Sequence, residues 1–377
     1  MDRSVQRFIS ASIFACGIFS GAVFSATYTI TDLGTLGGSS RGDAINASGQ
    51  VAGVSELQRL HPGDDDESSE SVFLYDGSIH SISAPAGFTN YIAADMNDSG
   101  HVVGLTVDRA YLYYGTMKTL GTLGGNYSEA SGINNNGIIS GSSFNSDGHL
   151  HAFLYDGTMH DLEPLAGQYS RASGINSLGH ATGSHGSSPL TPYLGVGTSM
   201  QTAFLHDGQM HELGTLPGGI SSSGNAINDH DQVTGYSITS FPSLARAFLY
   251  DGTMHELGTL GMDESYGYDI NNHADIVGDC VSVTNGGQGV AHLPFLYTRE
   301  NGMVDLNTLV DLPPGWRLLS AEAINDSGQI TGHAQFDDYY PHAYLLTPVP
   351  EPMGLHLGVF AGSAVLSLIR FRRTATR

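Results

Sequence analysis

The sequence predicts an all-β protein, a seven-bladed β-propeller of four-stranded antiparallel blades, and three observations carry that reading. The phrase "HAFLYDGTMHDL" at 151–162 recurs as "RAFLYDGTMHEL" (246–257), "TAFLHDGQMHEL" (202–213) and "SVFLYDGSIHSI" (71–82), with a looser "RAYLYYGTMKTL" at 109–120. A second phrase, such as "AINASGQVAGVS", recurs with asparagines at Asn46, Asn97, Asn134, Asn176, Asn228, Asn271 and Asn325, a mean spacing of 46.5 residues. A fixed period of this size marks a repeat architecture, and four short strands per period match a propeller blade. Finally, the last repeat lacks a closing strand, while the chain ahead of the first repeat supplies one.

Taken in chain order, residues 1–26 read as a secretory signal peptide. Arg3 and Arg7 precede the apolar run "FISASIFACGIFSGAVF", and the small residues Ser20, Ala22, Ser25 and Ala26 suit cleavage between Ala22 and Ala26. An uncleaved anchor is the alternative. "TYTITDLGTL" follows, with the shape of the later "TMHELGTL". It is expected to complete the last blade, closing the ring and covering a bare sheet edge. A linear β-solenoid, the rival architecture, has no need of such a strand.

Residues 27–347 hold the repeats. Each asparagine phrase reads as a hairpin of strands a and b, with Asn opening the turn and Gly supplying the positive φ that ends it. The "HAFLYDGTMHDL" phrase reads as strands c and d. Asp-Gly at 76–77, 156–157, 207–208 and 251–252 predicts a two-residue type I′ turn between them. The a–b and c–d turns then share one face. The "LGTLGG" links and the variable b–c loops share the other, where binding residues are expected to reside.

Residues 348–377 form a tail. Val349-Pro350-Glu351-Pro352 ends regular structure, 353–369 is an apolar stretch at the short limit for a membrane span, and Arg370, Arg372, Arg373 and Arg377 follow. The arginines are expected to stay cytoplasmic, with everything before them facing outward. A plain tail anchor is the alternative.

Two resemblances rest on these residues. Val349-Pro350-Glu351-Pro352, the apolar span and the cluster of Arg370, Arg372 and Arg373 resemble a PEP-CTERM sorting signal. That resemblance implies an exported protein of a Gram-negative bacterium, held at the inner membrane by its transmembrane segment until an exosortase-like protease processes it for the surface or matrix. Phe371 within the basic cluster and His356 within the span depart from the pattern. "LGTLGG", "IN..G...G.S" and "HAF" together resemble the HAF repeat family of extracellular proteins. The second repeat departs most, with "SAPAGF" and "AYLYYG", and the seventh lacks Gly-Gly. The family names no catalytic residues.

Composition restricts function. Glycine is abundant at 50 of 377 residues and only 14% of the chain is charged, as suits a turn-rich β protein. Net charge is −23, and the body between Thr27 and Thr347 holds 35 acidic residues against 8 basic ones. Such a body repels phosphate backbones, so nucleic acid is not an expected partner. Of two cysteines, Cys16 lies in the leader and Cys280 has no partner, which excludes a disulfide scaffold and the usual zinc spacings.

Candidate site residues follow, each with a plainer reading beside it. Tyr91, Tyr127, Tyr169, Tyr266 and Trp316 recur near the start of strand a and could form a sugar-stacking rim, or fill space between blades. "DDDESSE" at 64–70 could bind calcium but lacks the spaced ligands of a calcium loop. His80, His160, His211 and His255 occupy one place in different blades, so they diverge rather than converge on a metal. Asp43, Asp95, Glu129, Asp269 and Glu322 on strand a could line the channel, with Asp95 and Asp269 at matching positions. Carboxylates so placed could support glycoside hydrolysis or elimination. No GxSxG, P-loop or HExxH motif is present, and no cofactor, metal or catalytic residue is expected. The expected function is non-catalytic binding or scaffolding, of exopolysaccharide or a surface protein. A secreted polysaccharide hydrolase or lyase is the alternative.

Overall fold

The computed structural model describes residues 27–57, 70–82, 91–162, 169–187, 200–239, 244–283, 290–336 and 340–350. The expected signal peptide at 1–26, the acidic loop up to residue 69, Glu351, Pro352, the apolar span 353–369 and the arginine cluster lie outside them. Among the described residues no helix is long and apolar enough to cross a membrane. The one helical element there is a 3-10 turn, Leu306–Leu309.

Seven four-stranded antiparallel blades form the ring, as the repeats predict. Blade 1 runs in order through strands a (Gly37–Ile45), b (Val51–Leu57), c (Glu70–Tyr75) and d (Ile79–Ser81). Strand a of blades 2 to 6 is Ile92–Met96, Gly124–Ile133, Tyr169–Ile175, Gly219–Ile227 and Glu264–Ile270. In blade 7 strand a is broken into Arg317–Leu318 and Ala323–Ile324, followed by b (Ile330–Gln335) and c (Pro341–Pro348). The N-terminal strand Tyr28–Gly34 supplies its d, pairing antiparallel with c from Tyr28 opposite Pro348 to Asp32 opposite Tyr344. Val349 N–H then donates to Thr27 O at 2.8 Å, so the two ends of the body meet in one sheet.

Each phrase of the repeat has a packing reason. The aromatic residue of strand c (Phe73, Tyr111, Phe153, Phe204, Phe248, Phe295 or Tyr344) is fully buried in every blade. Each sits opposite a strand b glycine: Gly53, Gly104, Gly141, Gly183, Gly235, Gly278 or Gly332. A Cβ on Gly141 would lie 2.1 Å from Glu129 O and 2.8 Å from the Phe153 ring, so the ring occupies the space a side chain would need.

The alanine of "HAF" has a backbone N–H that the neighbouring blade satisfies. Ala343, Ala110, Ala152, Ala203 and Ala247 donate to the hydroxyls of Ser40, Ser128, Ser170, Ser222 and Ser265 at 2.8–3.0 Å. Ser40, Ser128 and Ser265 donate onward to the carbonyls of Gly34, Gly121 and Gly258 in the "LGTL" link. Three separate sequence phrases therefore meet in one buried clamp between blades.

The Asp-Gly hairpin corrects one expectation. Tyr75 pairs with Ile79, so three residues form the turn rather than two, and Asp76 N–H donates to Ser78 O at 3.4 Å. Only glycine takes positive φ there (Gly77, 117°), which rules out type I′. The acidic side chain folds back instead. Asp76, Asp156, Asp207 and Asp251 bond the Nε2 of His80, His160, His211 and His255 at 2.9–3.1 Å. Each histidine is engaged within its own turn. Among the described residues no group of three or more His, Cys, Asp or Glu could hold a metal ion.

Candidate functional site

The seven strands a surround an axial channel, and their register divides it into tiers. At the a–b turns lies a closed ring of asparagines. Asn46 Nδ2 donates to Asn97 O, Asn97 to Asn134 O, and so on through Asn176, Asn228, Asn271 and Asn325, which donates back to Asn46 O at 2.9 Å. The side-chain oxygen of each closes its own turn; Asn134 Oδ1 accepts the N–H of Asn136 and Ile138, both at 3.0 Å. One step inward stand Ile45, Met96, Ile133, Ile175, Ile227, Ile270 and Ile324. These two tiers are nearly uniform around the ring, and the side-chain amide of each asparagine is engaged in holding it closed.

The next tier is different. In blades 1 to 6 strand a carries a bulge opposite the strand b glycine, so one residue per blade leaves the ladder: Asp43, Ala94, Ser131, Ser173, Asn225 and Tyr268. Glu322 holds the same place in blade 7, beside Ala323, which pairs with Thr331. All seven line one cavity of about 150 Å³. A second space of about 230 Å³ lies at the asparagine mouth and shares Ile45, Ile175 and Ile227 with the first. The bulge frees a residue from repeat duty, and there the seven copies differ.

Charge gathers where blades 6, 7 and 1 meet. Arg41, two residues above Asp43 on strand a, forms an ion pair with it. Burial pushes the Asp43 carboxyl up to about 7 even though Arg41 pulls it down, and Glu322 adds to the rise. Asp43 Oδ2 is buried without a hydrogen-bond partner. Asp279, on strand b of blade 6, is 3% exposed and pushed up to about 8 by burial and then by Glu322. It receives the Ala321 amide, but its Oδ1 has no hydrogen-bond partner. Tyr268 lies in the same field and is raised by burial first, then by Asp279 and Glu322. His333 bonds Ser320 Oγ through Nδ1 at 2.7 Å. Burial, with Arg41 and His292 nearby, lowers it to about 4. Arg41 also lines a groove of about 190 Å³ with Glu56, Glu70 and His333, on the b–c loop face between blades 1 and 7.

The other acidic residues of strand a do structural work. Asp95 accepts the N–H of Met96 at 2.7 Å and of Ile133, in blade 3, at 2.8 Å. Asp269 accepts Ile270 N–H and, from blade 7, Ile324 N–H, both at 2.8 Å. Each carboxylate pins its blade to the next, and burial pushes them up to about 7 and about 6. Glu129 pairs with Arg171 Nε at 3.0 Å and receives the Tyr127 hydroxyl at 2.6 Å.

The five aromatic residues are dispersed rather than gathered. Tyr91 is buried, its hydroxyl donating to Ile82 O at 2.8 Å. Tyr127 is buried against Phe144, ring centres 5.8 Å apart. Tyr169 packs edge-on to His149 and Tyr266 edge-on to Tyr236, both at 5.2 Å. Trp316 stands edge-on to Phe336 at 4.4 Å. Of the tail motif, Val349 is exposed and Pro350 closes the described body.

Sequence reasoning placed Asp43 and Glu322 among the channel acids but missed Arg41, Tyr268, Asp279 and His333. The available signal was the bulge position itself, where Asp, Ala, Ser, Ser, Asn, Tyr and Glu stand in seven otherwise similar copies.

The chain matches no protein-family model and no curated protein. Among solved structures, an iodide structure of a Trichoderma reesei carbohydrate-active enzyme of family AA12 is similar over 87% of this chain and 97% of that one, at 12% identity and a TM-score of 0.35. A likeness of that degree says nothing of ligand or chemistry.

Proposed function

We propose that the chain is an exported surface or matrix protein whose propeller binds a hydroxyl-rich polymer, exopolysaccharide being the expected one, without transforming it. The observation that carries this reading is internal to the chain. Seven copies of one unit agree in the tiers that hold the ring together, and they diverge at the bulge tier, where Asp43, Tyr268 and Glu322 gather on one side and Arg41 pairs with Asp43. A scaffold that keeps its frame regular and varies one cavity suits recognition. The leader, the Pro-Glu-Pro motif and the arginine-flanked apolar tail support export, transient inner-membrane anchoring and sorting by an exosortase-like protease.

The test of binding is titration of the purified chain with fragments of the producing cell's exopolysaccharide, before and after Arg41→Ala. Loss of affinity with the fold intact supports the reading; unchanged affinity refutes it. Sorting is tested by the mass and location of the protein in cells with and without the sorting protease. Loss of roughly the last 25 residues, only when the protease is active, is expected.

One observation favours the catalytic alternative, a polysaccharide hydrolase or lyase. Asp43 is held near neutrality inside the channel, where a general acid would need to be. Turnover of polysaccharide by the wild type that Asp43→Asn abolishes would establish that reading instead.

A further inference from the structure

Resting on the binding reading above, we propose that the bulge-tier cavity recognises a primary ammonium group carried on a sugar, so that the polymer it takes contains free amino sugars.

The argument starts from unmatched acceptors. Asp43 Oδ2 and Asp279 Oδ1 are buried without hydrogen-bond partners, and buried polar atoms of folded proteins are nearly always satisfied. Asp43 lines the cavity with only 11% of its side chain exposed, and Glu322 lines it from the neighbouring blade. Asp279 is not among the residues lining the cavity, but the Glu322 charge reaches it and adds to its rise. Arg41 is the cation paired with Asp43, His292 Nδ1 lies 3.4 Å from Asp279 Oδ2, and Tyr268 and His333 are held neutral at physiological pH. At the cavity Asp43 and Glu322 thus face one guanidinium, and the surplus is of acceptors.

A ligand that completes the site must bring donors and positive charge. Anionic sugars such as uronates are disfavoured by the same groups. A metal ion is a poor match, since no described cluster has the converging ligands it needs. An ammonium has three donors and tolerates a looser shell. Across the cavity Ser131, Ser173 and Asn225 offer hydroxyl and amide oxygens to the rest of a small polyol. The volume of about 150 Å³ admits one sugar unit.

A bound cation also offsets the burial that, with a smaller part from the Glu322 charge, raises Asp43 and Asp279. For a cation that stays protonated, binding should therefore release protons and tighten as pH rises from about 6 to about 8. The groups facing Asp43 and Asp279 in that titration are Arg41, Glu70, Glu322, Tyr268, His292 and His333.

The experiment is calorimetric titration of the full chain with glucosamine, N-acetylglucosamine, glucose and methylamine. Wild type is expected to bind glucosamine at least about tenfold tighter than either neutral sugar, the contribution of one charge-assisted hydrogen bond. Asp43→Asn and, separately, Glu322→Gln should remove that preference, each checked for folding by its melting transition. Methylamine, protonated throughout, should gain affinity between pH 6 and pH 8. Equal binding of the three sugars, or a preference that survives both substitutions, overturns the ammonium assignment and leaves the sugar-binding reading standing. Binding of methylamine with no gain from a sugar ring keeps the ammonium site and removes the polysaccharide. Binding of none of the four probes overturns the inference.

Discussion

Replacing Asn134 by alanine measures what the asparagine ring is worth. The side chain makes three hydrogen bonds: Nδ2 to Asn176 O at 3.0 Å, and Oδ1 from Asn136 and Ile138 N–H at 3.0 Å each. Each neutral bond contributes about 1 kcal/mol net, so the loss should cost about 3 kcal/mol. Asn135 is the control. It sits beside Asn134, bonds Asp98 across the blade boundary at 2.6 and 2.9 Å, and is exposed. Water replaces its partners, and Asn135→Ala should cost under about 1 kcal/mol. Equilibrium unfolding in urea, followed by fluorescence, reads both. If Asn134→Ala costs no more than Asn135→Ala, the ring is incidental and the motif needs another explanation.

Further expectations follow from the same packing. Gly141→Ala sets a Cβ against Glu129 O and Phe153 and should cost more than about 3 kcal/mol, while Gly157→Ala, with open space but φ of 118°, should cost about 1 to 2 kcal/mol in urea titrations. Leu33→Ala, in the closing strand and 4% exposed, should destabilise by about 2 to 5 kcal/mol and raise proteolysis at both ends of the body together. Asp279 is raised in the folded state, so the fold binds more protons than the unfolded chain between about pH 4 and about pH 8. Its contribution is therefore full below the unfolded value and lost as pH rises through about 8. Asp279→Asn should flatten that decline in a series of melts across pH. His333 works in the opposite sense. Its lowered value makes stability present above about 6.5 fall away as pH drops through about 4, and His333→Gln should blunt the acid limb.

The frame was readable because its causes are local and repeated. Asp-Gly turns, Ile-Asn phrases and the spare N-terminal strand each state a hairpin or an edge, and seven repetitions fix the count. The turn type was misread because the Asp76 carboxylate turns back to His80, a side-chain bond that a dipeptide rule omits. Asn46 and its equivalents were readable as turn residues but not as a ring, since Nδ2 finds its partner 37 to 54 residues away around the axis, or 279 where Asn325 closes on Asn46. The charged site was hidden for the same reason. Arg41, Tyr268, Asp279 and Glu322 come from three blades and are neighbours only because the chain closes on itself. Asp95 and Asp269, conspicuous for their matching positions, turned out to be bound to backbone N–H groups of adjacent blades. A carboxylate's environment decides its role, and a sequence position alone does not state it.

A titration that sets the two ends of the channel against each other would decide where this propeller works. Exopolysaccharide fragments would be titrated against the wild-type chain, against Asp43→Asn at the bulge tier, and against Asp229→Ala at the asparagine mouth. The expected result is affinity lost with Asp43→Asn and kept with Asp229→Ala, both variants remaining folded. Affinity kept with Asp43→Asn and lost with Asp229→Ala would place recognition on the opposite face and contradict the account.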